Sequence, residues 1–143
     1  MNLIEDLEKS SSMDSPESIR IFSNTLQKMA ESKDKKYLPI ILNYLDDESE
    51  YTDMMKEIMG MAESFEAIDY VSTIIGFNEI LQKKALDWLD IIHYRITNSE
   101  KHIDIYKNIL TNSPNKEEVK EYLYRFLDNN PEKQKAISFI LSC

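Results

Sequence analysis

One apolar pattern recurs at a spacing that few folds can accommodate. Tyr37, Leu38, Ile41 and Leu42 return 33 residues later as Tyr70, Val71, Ile74 and Ile75, and 35 residues after that as Ile105, Tyr106, Ile109 and Leu110. A period of this length marks supersecondary units that cannot cover their own apolar stripe and must stack on a neighbour to form a core. A second pattern follows the first within each unit: Met54, Ile58, Met61 and Phe65, then Ala85, Leu89, Ile92 and Ile96, then Val119, Leu123 and Phe126. Its i, i+4, i+7 spacing is that of one helix face. Each unit therefore reads as two antiparallel helices. The chain is expected to be all-α, a stack of helical hairpins in a HEAT-like right-handed α-solenoid with no sheet. A closed helical bundle produces similar spacings and leaves less groove to bind with, but recurrence of both halves of the hairpin favours the array.

Local signals set the boundaries. Leu3, Ile4 and Leu7 predict a short helix before Ser10-Ser11-Ser12. Ser15 before Pro16 is a helix N-cap followed by proline in the first turn, opening a helix with Ile19, Phe22, Leu26 and Met29 on one face. The next segment is expected to carry Leu38, Ile41, Leu42 and Leu45 on one helix before the acidic loop Asp46 to Glu50, with Pro39 tolerable only within its first turn. The predicted organisation is one domain: N-terminal helices in 1–31, hairpins in 36–65, 67–98 and 100–128, and a last helix in 131–141. Gly60 inside the second helix of the first hairpin is expected to mark a close helix approach.

Charge limits the partners. Seventeen Lys and Arg against 26 Asp and Glu give −9, which argues against a nucleic-acid backbone or an anionic membrane as main partner. The imbalance is local. From Asp46 to Asp69 there are nine acids and one base, Lys56; outside that stretch 17 acids face 16 bases. The only cysteine, Cys143, can close no bridge within the chain, the acidic N-terminal residues do not resemble a secretory leader, and no apolar run approaches the ~18 residues of a membrane span. A cytoplasmic location is expected.

Catalysis is hard to assemble from these residues. His93 and His102 fall on separate predicted helices without an HxxxH or HExxH pair, and there is no glycine-rich phosphate loop and no GxSxG elbow. No catalytic residue, metal ligand or cofactor is expected. A binding surface is. The acidic cluster Asp46, Asp47, Glu48, Glu50, Asp53 and Glu57, with Tyr51 among them, raises local negative potential and supplies carboxylates for Arg or Lys of a partner; the alternative is a merely solvated loop and helix face. Asp87, Asp90, Tyr94 and Arg95 on the next second helix, and Glu121, Tyr124 and Arg125 on the third, flank the core stripe in register. Tyr94 and Tyr124 could equally pack between helices. Met54 and Met61 are expected in the core, as is Trp88, which could otherwise serve as an interface anchor.

The order of short segments along the chain also carries a resemblance. Tyr37-Leu38-Pro39-Ile40-Ile41-Leu42-Asn43-Tyr44-Leu45-Asp46-Asp47-Glu48, then Met54 to Ala62 and Glu63-Ser64-Phe65, then Trp88, Tyr94-Arg95-Ile96 and Asn98-Ser99-Glu100, together resemble the bacterial immunity protein 30 family over about Leu3 to Leu127. The resemblance implies an all-α repeat protein that binds the toxic domain of a polymorphic toxin and protects the producing cell, without catalysis. It implies no particular functional residue. The toxin, which could be a basic nuclease held off by an acidic mimic of its phosphates, is left open, as is oligomeric state. The rival reading is a helical-repeat adaptor for a partner other than a toxin.

Overall fold

The computed structural model describes residues 2–143, and every regular element among them is helical. Ten α-helices follow in order: α1 (Leu3–Ser10), α2 (Pro16–Ser32), α3 (Tyr37–Leu42), α4 (Thr52–Glu63), α5 (Ala67–Gly76), α6 (Asn78–Lys84), α7 (Leu86–Ile96), α8 (Glu100–Thr111), α9 (Lys116–Asn129) and α10 (Gln134–Leu141), the last entered through a 3-10 turn, Pro131–Lys133. The cap at Ser15 forms as the sequence predicts. Its hydroxyl accepts from the Ser18 N–H while the Ser18 hydroxyl accepts from the Ser15 N–H, so two end groups of α2 are satisfied reciprocally. Ser99 caps α8 by accepting from the His102 N–H.

The apolar stripes are buried where their spacing places them. Leu38, Ile41 and Leu42 of α3, Tyr70, Val71, Ile74 and Ile75 of α5, and Tyr106 and Leu110 of α8 all lie in one core with Ala85, Leu89, Ile92, Ile96, Val119, Leu123 and Phe126. Tyr37, Ile105 and Ile109 are half-buried at its edge. Helix contacts run in two successions. One links α3 to α5, α5 to α8 and α8 to α10. The other links α2 to α4 by packing, α4 to α7 by an ion pair, and α7 to α9 by buried aromatic side chains.

Polar ties join elements well separated in sequence. Ser23 to Glu57, Lys33 to the Ser64 carbonyl, Arg95 to Glu63, Tyr122 to Asp90, Lys133 to Asn98 and Arg125 to Gln82 join residues 31 to 43 apart. Asn115 reaches the Ile75 carbonyl over the same kind of interval, 40 residues.

Several local expectations change. The first segment of the first hairpin loses α-helical geometry after Leu42, and Tyr44 and Leu45 close tighter turns onto Ile41 and Leu42. Leu45 is nevertheless buried. Trp88, Met54, Met55 and Met59 are buried, whereas Met61 is only half-buried. Gly60 does not mark a close approach: it is exposed, and a Cβ added there meets nothing within 4 Å. Its substitution by alanine removes backbone freedom from the unfolded chain without creating a clash. Gly60→Ala is expected to stabilise the fold by about 1 kcal/mol, read as a raised urea midpoint at unchanged slope; a lowered midpoint would show that the position is tighter than its surroundings indicate.

Candidate functional site

The acidic stretch separates into carboxylates that build the fold and carboxylates that do not. Asp46 accepts from the Glu48 N–H (2.8 Å) and shapes the loop between α3 and α4. Asp47 reaches across to α7. Its two carboxylate oxygens accept from the N–H groups of Asp87 (2.9 Å) and Trp88 (3.4 Å), and its own N–H donates to the Lys84 carbonyl (2.9 Å). The residue that precedes α7, Ala85, has no side chain able to cap it, so the loop supplies the anion that the helix N-terminus lacks. Glu63 receives Arg95 in a bidentate pair, Nε to Oε2 at 2.7 Å and Nη2 to Oε1 at 2.8 Å, which ties α4 to α7.

Glu50, Tyr51, Asp53 and Glu57 come together. They line one wall of a groove of about 440 Å³ between α4 and α2, whose opposite wall carries Met13, Ile19, Arg20 and Ser23. Glu57 accepts a hydrogen bond from the Ser23 hydroxyl, closing one end. The Tyr51 hydroxyl donates to the Met13 carbonyl (2.9 Å), fixing the ring at the other. Glu48, Glu50 and Asp53 are exposed, and among the described residues none of the three has a side-chain hydrogen bond or an ion pair.

A second concavity, about 280 Å³, opens on α7 beside the end of α9. It is lined by Asp90, Ile91, Tyr94, Arg95 and Asn130, so three residues singled out from the sequence share it. Each is held by a neighbouring element. Asp90 accepts from the Tyr122 hydroxyl at 2.6 Å, and burial pushes its carboxyl above the usual range against that hydrogen bond. Tyr94 donates to Glu132 (3.0 Å) and lies under the Lys133 ammonium at 4.1 Å from the ring centroid. Tyr94 and Tyr124 are both exposed, Tyr124 at 58%, so neither is consumed by packing between helices. Asp87 and Glu121 are exposed on α7 and α9, and Arg125 turns to Gln82 (3.0 Å).

Beneath the cleft lies a buried histidine. His93 is 1% exposed; its Nδ1 donates to the Leu89 carbonyl (2.9 Å), which leaves Nε2 to accept from the Tyr106 hydroxyl (2.8 Å). The rings of Tyr122 and Phe126 pack against it. Burial lowers its pKa to about 4. His102 is half-buried and bonded to Ser99. Among the described residues no three His, Cys, Asp or Glu side chains are grouped so as to hold a metal ion, and no helix is long and apolar enough to cross a membrane.

The sequence placed acids and tyrosines on the second helices, but not the wall facing them. Ile19, Arg20 and Ser23 stand at helical spacing after the Ser15 cap, so their common face was readable; its pairing with α4 was not. A family model described as Immunity protein 30 matches residues 9–106, from the end of α1 into α8, a shorter span than the resemblance read from the sequence. No curated protein and no solved structure matches the chain.

Two outcomes follow from this geometry. Asp47→Ala removes the cap of α7 and is expected to cost about 1 kcal/mol in urea unfolding, although the side chain stands in a loop 40 residues from the helix it stabilises. A cost indistinguishable from zero would contradict the capping role. His93 is neutral when folded and binds its proton only near pH 4, while the unfolded chain binds it near 6.5. Its contribution is therefore complete above pH 6.5 and is lost as pH falls towards 4, on the order of 3 kcal/mol in all. His93→Phe orphans the Tyr106 hydroxyl at every pH, yet should flatten the loss of stability between pH 6.5 and 4 relative to the parent. Parallel profiles would mean that the ring titrates normally.

Proposed function

The chain belongs to the immunity protein 30 family, and we propose that it is the antidote of a bacterial polymorphic toxin system: it binds the cognate toxin domain and occludes that domain's active cleft or substrate path. Family membership carries the reading, and the distribution of charge supports the surface. Eight of the nine units of net negative charge lie between Asp46 and Asp69, and three of the exposed carboxylates there, Glu48, Glu50 and Asp53, have no side-chain partner among the described residues. A field of one sign steers an oppositely charged protein into encounter and pairs with its cations on docking. A toxin domain with a basic cleft, as a nuclease requires to hold phosphates, is the partner this charge suits best.

The contact surface extends from the α2–α4 groove across α4, α7 and α9. Glu50, Tyr51, Asp53 and Glu57 contribute at one end, Asp87, Asp90, Tyr94 and Arg95 in the middle, and Glu121 and Tyr124 at the other. Asp46 and Asp47 act through the loop and the α7 cap they hold. Such a surface suits a HEAT-like right-handed stack of hairpins 36–65, 67–98 and 100–128, flanked by helices in 1–31 and 131–141, within one domain; the two helix successions and ties 31 to 43 residues long support that arrangement. Inhibition is steric and electrostatic, needs no turnover by this chain, and operates in the cytoplasm, where the toxin is made.

Co-expression with the terminal domain of the toxin encoded beside it tests the reading. The chain is expected to restore growth and to co-purify with that domain. Glu48→Lys, Glu50→Lys and Asp53→Lys together are expected to slow association by tenfold or more, with most of the effect lost at high salt, while leaving the helical signal intact. Failure to protect would end the immunity reading. Protection by the triple variant at the parental association rate would remove the acidic surface from it.

A further inference from the structure

We propose that the α2–α4 groove is a receptor for a single arginine side chain presented by the partner, an inference that rests on the binding surface above and assigns one residue type to one place in it. The groove has two kinds of lining. Met13, Ile19 and Met54 give it an apolar floor, two of them buried, against which methylene groups can lie. Glu50 and Asp53 stand exposed at the rim without partners among the described residues. A long apolar stem beneath a cationic head is the side chain that satisfies both at once.

The Tyr51 ring favours guanidinium over ammonium. Tyr51 lines the groove, and its hydroxyl is anchored on the Met13 carbonyl, so the ring is held in place as a stacking surface. A planar guanidinium stacks on such a ring and still directs its N–H groups to carboxylates at its edge. Glu57 is also at hand but is occupied by the Ser23 hydroxyl, which fixes its orientation before any ligand arrives. At about 440 Å³ the groove lies within the range of small-ligand sites, with room for one long side chain and the residue that bears it. The lining carries three carboxylates, Glu50, Asp53 and Glu57, against one base, Arg20, which forms no ion pair among the described residues, so the groove keeps a net negative charge.

The methionines make the site observable. With methyl-labelled methionine in the full chain, titration with Nα-acetyl-arginine amide is expected to move the Met13 and Met54 signals saturably, with the millimolar affinity of so small a probe, while Met29 and Met59 stay in place. The citrulline analogue, isosteric and uncharged, should leave all four unmoved at the same ionic strength, and the lysine analogue should bind more weakly. Glu50→Gln with Asp53→Asn is expected to weaken the arginine response by more than about tenfold without altering the other methyl signals. Absence of movement at tens of millimolar, equal response to citrulline or to lysine, or shifts spread over all methionines would each overturn the assignment. The growth assay separates this from the broader reading. Toxin protection without an arginine response leaves the immunity function and removes the receptor, whereas an arginine response without protection does the reverse.

Discussion

Apolar side chains on the amphipathic helices of this chain are covered by helices distant in sequence. Tyr70 and Ile74 on α5 are buried because α3 and α8 lie beside that helix, not because α5 folds back on its own partner alone. At roughly 25 cal/mol per Å² of apolar surface removed from water, this burial is the term large enough to fix the order of the helices. Polar ties then set register. They cannot be the main source of stability, since an exposed ion pair such as Arg95 with Glu63 contributes about 1 kcal/mol or less and a charge-assisted hydrogen bond such as Tyr122 to Asp90 about 1.5–3 kcal/mol; the two connect α4 to α7 and α7 to α9, each at an interval of 32 residues.

That division explains what the sequence made legible. Helix starts were readable where chemistry is local, as at Ser15 with Pro16, and helix faces where the apolar spacing is regular, as in α7 and α9. The end of α3 was not, because Leu45 keeps the helical apolar rhythm and is buried, although the backbone has already tightened at Asn43. Gly60 misled for a related reason. A glycine inside a helix signals either close packing or nothing, and only the neighbours distinguish the two. The site was legible by residue type but not by partnership. Asp47 looked like one more acid of a charged loop, and its position at the start of α7 depends on a contact between segments 40 residues apart.

The same partnerships divide the acids by role. Asp46, Asp47, Glu57 and Glu63 are engaged within the chain, while Glu48, Glu50 and Asp53 keep their charge for solvent or a ligand. A charge excess of this kind costs stability through self-repulsion. Pairing some carboxylates with helix N–H groups, hydroxyls or an arginine limits that cost to the members left open. The open ones lie where a partner can reach them.

Preorganisation is the remaining link between interior and surface. Asp90 would be a mobile carboxylate if it stood alone on α7; the Tyr122 hydroxyl from α9 holds it, the Tyr122 ring rests on His93, and His93 is itself oriented by the Leu89 carbonyl and the Tyr106 hydroxyl from α8. Three helices thus determine where one surface carboxylate sits. Immobilising a side chain during docking costs about 0.5–1.5 kcal/mol, and a group already held has met that cost during folding. The burial that favours neutral His93 therefore serves the cleft as well as the core: a charged imidazole at this position could not accept from Tyr106, and the aromatic packing that steadies Asp90 would lose its centre.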